Sequence, residues 1–317
     1  HIATQGRPGP VVIDIPKNVQ VAAAEFARHT GKGNSRYQPQ TEGDFKAINA
    51  AAEMIMNAKA PVLYTGGGII NSGPKASETL RELAELLGSP VTSTLMGLGA
   101  FPASSDKWLG MLGMHGTFEA NMAMNKADLV ICLGARFDDR ITGRIDAFSP
   151  NSKKIHVDID RSSINKTIRV DLPVIGDVGR VMEQLLAVLK GRRFATPDHE
   201  EWWARIRGWR ATNCLDYPEN KQEIMPQKAI RKLWEATHER EPIITTEVGQ
   251  HQMWPARRDR RTAGQPRRAG DRYRRRSVDP DEYPGTGNGD AISPAGQAVH
   301  PQQRIYGNGS PVAGTDL

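Results

Sequence analysis

Between residues 44 and 190 the apolar positions switch repeatedly between the period of a helix and that of a buried strand. Asp44 can cap a helix running to about residue 58, with Ile48, Ala51, Met54 and Ile55 on one face. Residues 61–65 (PVLYT) read as a strand stopped by Gly66-Gly67-Gly68. A helix over 74–87 turns Leu80, Leu83 and Leu87 inward and ends at Gly88. Strands follow at 91–95, 128–133 (DLVICL), 154–159 (KIHVDI) and 172–175, with a helix at 118–126 between the first two. A closing helix over 178–189 buries Val181, Leu185, Val188 and Leu189. Strands apolar on both faces that alternate with helices predict an α/β fold built on a doubly wound parallel sheet.

The flanks read differently. Residues 4–16 (TQGRPGPVVIDIP) are a Gly/Pro turn feeding a short buried strand at 11–15, whose partner sheet the chain mostly lacks. Residues 21–43 are polar and rich in Gly, Ser and Gln, as in a linker. After Trp254 the apolar pattern stops. There is no lysine beyond it, and ten arginines fall between Arg257 and Arg276. Residues 255–317 hold eleven Arg against seven Asp and Glu, a surplus of four out of the chain's net +6. The basic character therefore belongs largely to this tail, and any nucleic-acid reading rests on it alone. Few large apolar residues and many Arg, Gly and Pro predict a tail that does not order. Apart from Tyr273 its arginine run lacks interleaved aromatics, so the expectation is non-specific attraction to phosphate polymers and no specific nucleic-acid partner. Cys132 and Cys214 make neither a metal spacing nor a disulfide framework, which fits a reducing, cytoplasmic setting. No apolar run is long enough to span a bilayer. The chain opens at His1 without Met, and it reads as a fragment cut at both ends.

Ligands of doubly wound sheets sit outside the carboxyl ends of the strands. The unusual residues cluster there: Gly66-Gly67-Gly68, Thr94-Leu95-Met96-Gly97, the run from Gly134 to Arg140 (GARFDDR), Asp158, and Gly176-Asp177. A separate loop holds Gly113, Met114 and His115. Glycines allow close backbone approach and their N–H groups suit anions. An acidic residue at a later strand end suits ribose hydroxyls, and arginine suits pyrophosphate or carboxylate through its fork. Taken singly, GGG is a turn, His115 a structural histidine, Met96 and Met114 core filler, and Asp138-Asp139 solvated loop. Together at one edge they point to a dinucleotide site. The G-x-G-x-x-G fingerprint is absent, so it is not an ordinary NAD site.

Residues 1–254 resemble the large catalytic subunit of the acetohydroxyacid synthase (acetolactate synthase) family, thiamine-diphosphate enzymes. The matching stretches are GRPGPVVIDIPK, PVLYTGGGI, TSTLMGLGAFP, MLGMHGT, ADLVICLGARFDDRITG, KKIHVDIDRSSINK and TTEVGQHQMW. The resemblance implies three domains: residues 1–20 end a pyrimidine-binding domain, 21–43 link, 44–190 form a middle FAD-binding domain, 191–224 link, and 225–254 begin a thiamine-diphosphate domain. By the same resemblance Gly66, Gly67, Gly68, Thr94, Leu95, Met96, Gly113, Met114, His115, Gly134, Ala135, Arg136, Asp138, Asp158, Gly176 and Asp177 line FAD, joined by Gln252 and Met253. Val248, Gly249, Gln250 and His251 lie beside thiamine diphosphate, and Arg140 holds the carboxylate of the second 2-ketoacid. The implied reaction decarboxylates pyruvate and joins the product to a second 2-ketoacid, pyruvate or 2-ketobutyrate, in branched-chain amino-acid biosynthesis. FAD is implied to be structural, Mg²⁺ to hold the diphosphate, and the partners to be further copies in a dimer or tetramer and a small regulatory subunit.

The catalytic glutamate of that family belongs to the first domain and is missing here, and no metal motif appears in the tail. Back-translating residues 271–317 and reading one nucleotide on permits a sequence containing GEAS and LFILNNEYMGMVRQWQ, the family's metal and diphosphate region. Residues 255–317 thus read as a frameshifted translation, and the chain as given is expected to be inactive. Other readings are a stand-alone FAD-binding domain, another thiamine-diphosphate decarboxylase or carboligase, and a basic nucleic-acid binder.

Overall fold

Local signals place the helices. Asp44 caps its helix through Oδ1, which accepts the N–H groups of Lys46 at 3.0 Å and Ala47 at 3.1 Å. Pro74 opens the next long helix, and Gly88 closes it in the left-handed region at φ 60°. Thr117 and Asp177 cap two more by accepting from Ala120 and Arg180.

The computed structural model describes residues 2–26, 28, 37–217 and 224–240. In chain order it contains α1 (Lys17–Gln20), α2 (Phe45–Met56), β1 (Pro61–Thr65), α3 (Gly67–Asn71), α4 (Pro74–Leu87), β2 (Val91–Ser93), β3 (Trp108–Met111), α5 (Phe118–Lys126), β4 (Leu129–Leu133), α6 (Asp139–Thr142), β5 (Lys153–Asp158), β6 (Leu172–Ile175), α7 (Val178–Gly191), α8 (Glu200–Arg210) and α9 (Pro226–Thr237). The six strands form one sheet of order β3-β2-β1-β4-β5-β6, and every pairing is parallel. The expected doubly wound α/β sheet is what forms.

The two faces of the sheet are buried separately, which is why the central strands read as unbroken apolar runs. Leu63, Ile131, Leu133, Ile155 and Val157 pack under α2, α4 and α7, against Ile48, Leu80, Leu83, Val181 and Leu185. Val62, Tyr64, Val130 and Cys132 face Met124 of α5 and the loop residues Ala135 and Phe137.

Several sequence expectations change. Residues 11–15 form no strand. Val12 and Ile13 are exposed, because a lone strand without a partner has nowhere to place its backbone hydrogen bonds. The strand expected over 91–95 ends at Ser93, where Thr94 turns the chain by accepting Gly97 N–H at 3.1 Å. Edge strand β3 was not expected, since WLGM is short and broken by glycine. The segment read as a linker at 191–224 contains α8, which buries Trp202 and Ile206 against Leu109 and Ala120. Trp202 Nε1 donates to the Pro61 carbonyl at 3.1 Å and Trp203 Nε1 to that of Gly88 at 2.9 Å, fastening α8 to the start of β1 and the end of α4. The part of the expected thiamine-diphosphate domain beyond residue 240 and the arginine-rich tail lie outside the described residues.

Candidate functional site

Strand order reverses between β1 and β4. From β1 the chain winds outward through β2 and β3, then returns to lay β4, β5 and β6 on the other side. The carboxyl ends of β1 and β4 therefore flank the switch point where such sheets open a crevice. At this point lie Gly66–Gly68 and the loop from Gly134.

The two loops touch through backbone. Gly68 N–H donates to Gly134 O at 2.9 Å, and Gly66 N–H to Leu133 O at 3.0 Å. A Cβ on Gly66 would stand 2.4 Å from Gly134 O, and one on Gly68 would stand 2.6 Å from Gly134 Cα. Gly134 itself sits at φ 60°. These glycines are thus required by the approach of one loop to the other. Gly67 differs, because its nearest neighbour is the side chain of Met96. Along the edge, Gly113 N–H is held by Asn121 Oδ1 at 3.1 Å, and Met114 N–H donates to Arg140 O at 3.3 Å. Those bonds bring the 113–115 loop against the backbone of Arg140. Gly176 N–H donates to Asp158 O at 3.1 Å, closing the row on the β6 side.

The side chains at this edge divide into two kinds. Leu95, Met96 and Met114 are large and apolar, yet exposed to 42%, 52% and 53%. The charged groups are satisfied locally. Arg136 pairs with Asp138 at 2.9 Å, and Arg140 with Asp139 at 3.2 Å. Arg140 is 73% exposed and its pair is screened by water, so the guanidinium is open to exchange partners. Asp177 accepts from the Ser72 hydroxyl at 2.7 Å and from Arg180 N–H at 3.2 Å. Asp158 is nearly buried and accepts Asp160 N–H at 2.8 Å. Burial pushes its carboxyl above the ordinary aspartate range, while the Asp160 N–H and the guanidinium groups of Arg7 and Arg136 pull the other way.

Sequence reasoning passed over two sets of residues here. Arg7 reaches Asp160 at 3.4 Å, bringing the N-terminal segment to the end of β5. Beneath the Gly134 loop, Tyr64, Cys132 and His156 stand side by side on β1, β4 and β5, in register with one another. Tyr64 OH donates to Arg136 O at 3.0 Å, and Cys132 Sγ to Ala135 O at 3.2 Å. His156 Nε2 lies 2.9 Å from the same Ala135 O. A carbonyl only accepts, so Nε2 carries the proton. Burial lowers the His156 pKa, opposed by the bond to Ala135, and keeps the ring neutral. The available signal was positional, because each of the three stands next to the last or second-last residue of its strand.

A pocket of about 220 Å³ between α5 and residues 141–149 is lined by Leu112, Asn121, Met124, Ile141, Arg144 and Phe148, among others, but by none of the expected site residues. Among the described residues no group of three or more His, Cys, Asp or Glu could hold a metal. No helix among them is long and apolar enough to cross a membrane.

Residues 48–185 match the family described as thiamine pyrophosphate enzyme, central domain. The chain is 43% identical over 259 residues to the acetolactate synthase isozyme 3 large subunit of Escherichia coli (strain K12). It is 45% identical over 260 residues to the acetolactate synthase of Mycobacterium leprae (strain TN). Residues 48–185 thus belong to that central-domain family, and the chain resembles acetolactate synthase large subunits along most of its length. A third relative, the acetolactate synthase large subunit of Buchnera aphidicola subsp. Schizaphis graminum (strain Sg), is 42% identical over 257 residues. These alignments cover 80–81% of the chain and 41–45% of the relatives, so the chain spans less than half of their length. Within that frame the family match falls on the sheet domain, and the strand-end residues from Gly66 to Asp177 all lie along its carboxyl edge. The residues expected beside thiamine diphosphate, Val248, Gly249, Gln250 and His251, and those expected to touch FAD, Gln252 and Met253, lie outside the described residues.

Proposed function

We propose that this chain is the flavin-holding part of an acetolactate synthase large subunit, and that FAD lies across the switch point. The observation that supports this most directly is the mixed edge. Leu95, Met96 and Met114 offer an exposed apolar surface beside the Arg136 guanidinium, which suits a ligand with a flat ring at one end and a diphosphate at the other. Gly67 leaves room next to Met96 on that surface, and Asp158 stands where ribose hydroxyls would be met. Gly66, Gly68 and Gly134 shape the floor, and Asp177 anchors the β6 end through its cap. Thr94, Gly113, His115, Ala135, Asp138 and Gly176 complete the lining.

In the whole enzyme, thiamine diphosphate held through Mg²⁺ would supply the thiazolium carbon for pyruvate decarboxylation. This chain's contribution would be Arg140, whose exposed fork would take the carboxylate of the second 2-ketoacid, pyruvate or 2-ketobutyrate. Docking of the 113–115 loop on the Arg140 backbone would orient that fork. Subunit pairing and a small regulatory subunit belong to the same reading, as does FAD with a structural role. Titrating the purified 317-residue chain with FAD tests it, by flavin absorbance and quenching of flavin fluorescence. Saturable one-to-one binding is expected. A folded chain that ignores FAD would overturn the reading.

A further inference from the structure

The buried row of Tyr64, Cys132 and His156 is not used by any step above, and its geometry has a consequence for the loop it supports. All three donors aim at two consecutive carbonyls, those of Ala135 and Arg136. Every peptide bond described is trans. In a trans peptide the N–H points opposite to the C=O of the same unit. Holding the Ala135 and Arg136 carbonyls toward the sheet therefore turns the N–H groups of Arg136 and Phe137 away from it. Neither amide has an acceptor among the described residues. Two adjacent outward N–H groups beside a guanidinium make a concavity for an oxygen acceptor.

We infer that Tyr64, Cys132 and His156 are positioning residues which, by drawing the Ala135 and Arg136 carbonyls inward, present the Arg136 and Phe137 amides to an oxygen of the bound flavin nucleotide. The inference rests on the flavin reading for its ligand, but not for its geometry. The row is built for the loop and for little else. His156 is 1% exposed and its Nδ1 has no partner, so the bond to Ala135 O is the one polar contact within hydrogen-bond distance that the buried ring makes. Phe137 seals the arrangement, with its ring 5.7 Å from Tyr64 and 5.2 Å from His156 between centroids. The sheet places the three donors at one level because Tyr64 pairs with Cys132 and Cys132 with His156 in the parallel ladders.

The test uses the full chain and two variants that remove donors, Tyr64→Phe and His156→Leu, with His156→Gln as the conservative change whose amide can still donate. Two readouts are taken. The first is FAD affinity by fluorescence titration, alongside the thermal midpoint of the flavin-free protein. Tyr64→Phe and His156→Leu should each weaken FAD by about tenfold, the worth of one lost hydrogen bond to the ligand. His156→Gln should recover most of that loss, although its flavin-free midpoint falls too. Unchanged affinity in both donor-deleting variants, with only the midpoint lowered, means the row is merely structural and overturns the inference. The second readout needs no flavin: amide exchange and ¹⁵N relaxation of residues 134–138 in the labelled chain. The parent chain should show a rigid segment whose Arg136 and Phe137 amides exchange readily, and the donor-deleting variants a mobile one. A segment equally rigid in parent and variants overturns the inference. Failure of the parent chain to bind FAD refutes the proposed function instead, and the relaxation data then decide the positioning role alone.

Discussion

Adding one methyl group at Gly134 should damage this domain more than its size suggests. Gly134 sits at φ 60°, where a residue with a Cβ meets its own carbonyl at a cost of about 1 kcal/mol. The new Cβ would also stand 2.7 Å from Gly68 Cα, a backbone atom that cannot rotate away. Forcing the two loops apart would strain the Gly68–Gly134 bond of 2.9 Å, and overpacking of this kind costs about 1–3 kcal/mol. Gly134→Ala should therefore lose about 3 kcal/mol in all. With a urea slope of about 2 kcal/mol/M for a domain of this size, the midpoint should fall by roughly 1.5 M. Gly88→Ala is the control. Its φ is also 60°, in the left-handed region, but the nearest atom to a Cβ there is a side-chain methyl of Thr196 at 3.2 Å. Urea unfolding followed by far-ultraviolet circular dichroism compares the two. If Gly134→Ala is no worse than Gly88→Ala, the loop-to-loop contact is not what requires glycine at Gly134.

Other perturbations read separate parts of the structure. Asp44→Ala removes the acceptor for Lys46 and Ala47 N–H and should cost about 1 kcal/mol of stability in the same assay, with Asp44→Ser recovering most of it. Trp202→Phe keeps an aromatic ring but removes the indole N–H that the buried Pro61 carbonyl accepts and leaves a small void; a loss of about 1–3 kcal/mol is expected, and a change within error would show that α8 is not fastened there. Because burial depresses the His156 pKa, its neutral form stabilises the fold fully above the unfolded value of about 6.5, and that contribution drains away as pH falls from there toward the folded pKa. Urea midpoints at two pH values astride that window should differ more for the parent chain than for His156→Gln, with Asp158, at 3.8 Å the nearest carboxylate, retained in both. Arg140→Lys keeps the charge but loses the bidentate fork; in a complete enzyme carrying this segment it should raise the KM for the second 2-ketoacid at least tenfold, and leave FAD binding by this chain unchanged.

What could be read along the chain was whatever neighbouring residues decide among themselves. The cap at Asp44, the Pro74 start and Gly88 stop of α4, and the strands PVLYT and DLVICL announce themselves because each signal lies within a few residues of the element it controls. Their alternation was enough for a parallel sheet, and a parallel sheet was enough to place Gly66, Thr94, Gly134, Asp158 and Asp177 at one edge. Distance along the chain is where such reasoning stopped. The segment at 11–15 reads as a strand, yet it stays outside the sheet for want of a ladder. WLGM becomes β3 because β2 offers an open edge, and the tryptophan-rich stretch from Glu200 becomes α8 because Pro61 and Gly88 present carbonyls to two indole N–H groups. Tyr64, Cys132 and His156 look like ordinary core positions on three separate strands, and Gly66, Gly68 and Gly134 like permissive turns. Only the register of β1, β4 and β5 brings the first three under one loop, and only the approach of that loop to Gly68 explains the glycines. Periodicity records which face of a strand is buried; which residues meet across the sheet is set by pairing between segments tens of residues apart, and that is decided by packing the whole domain.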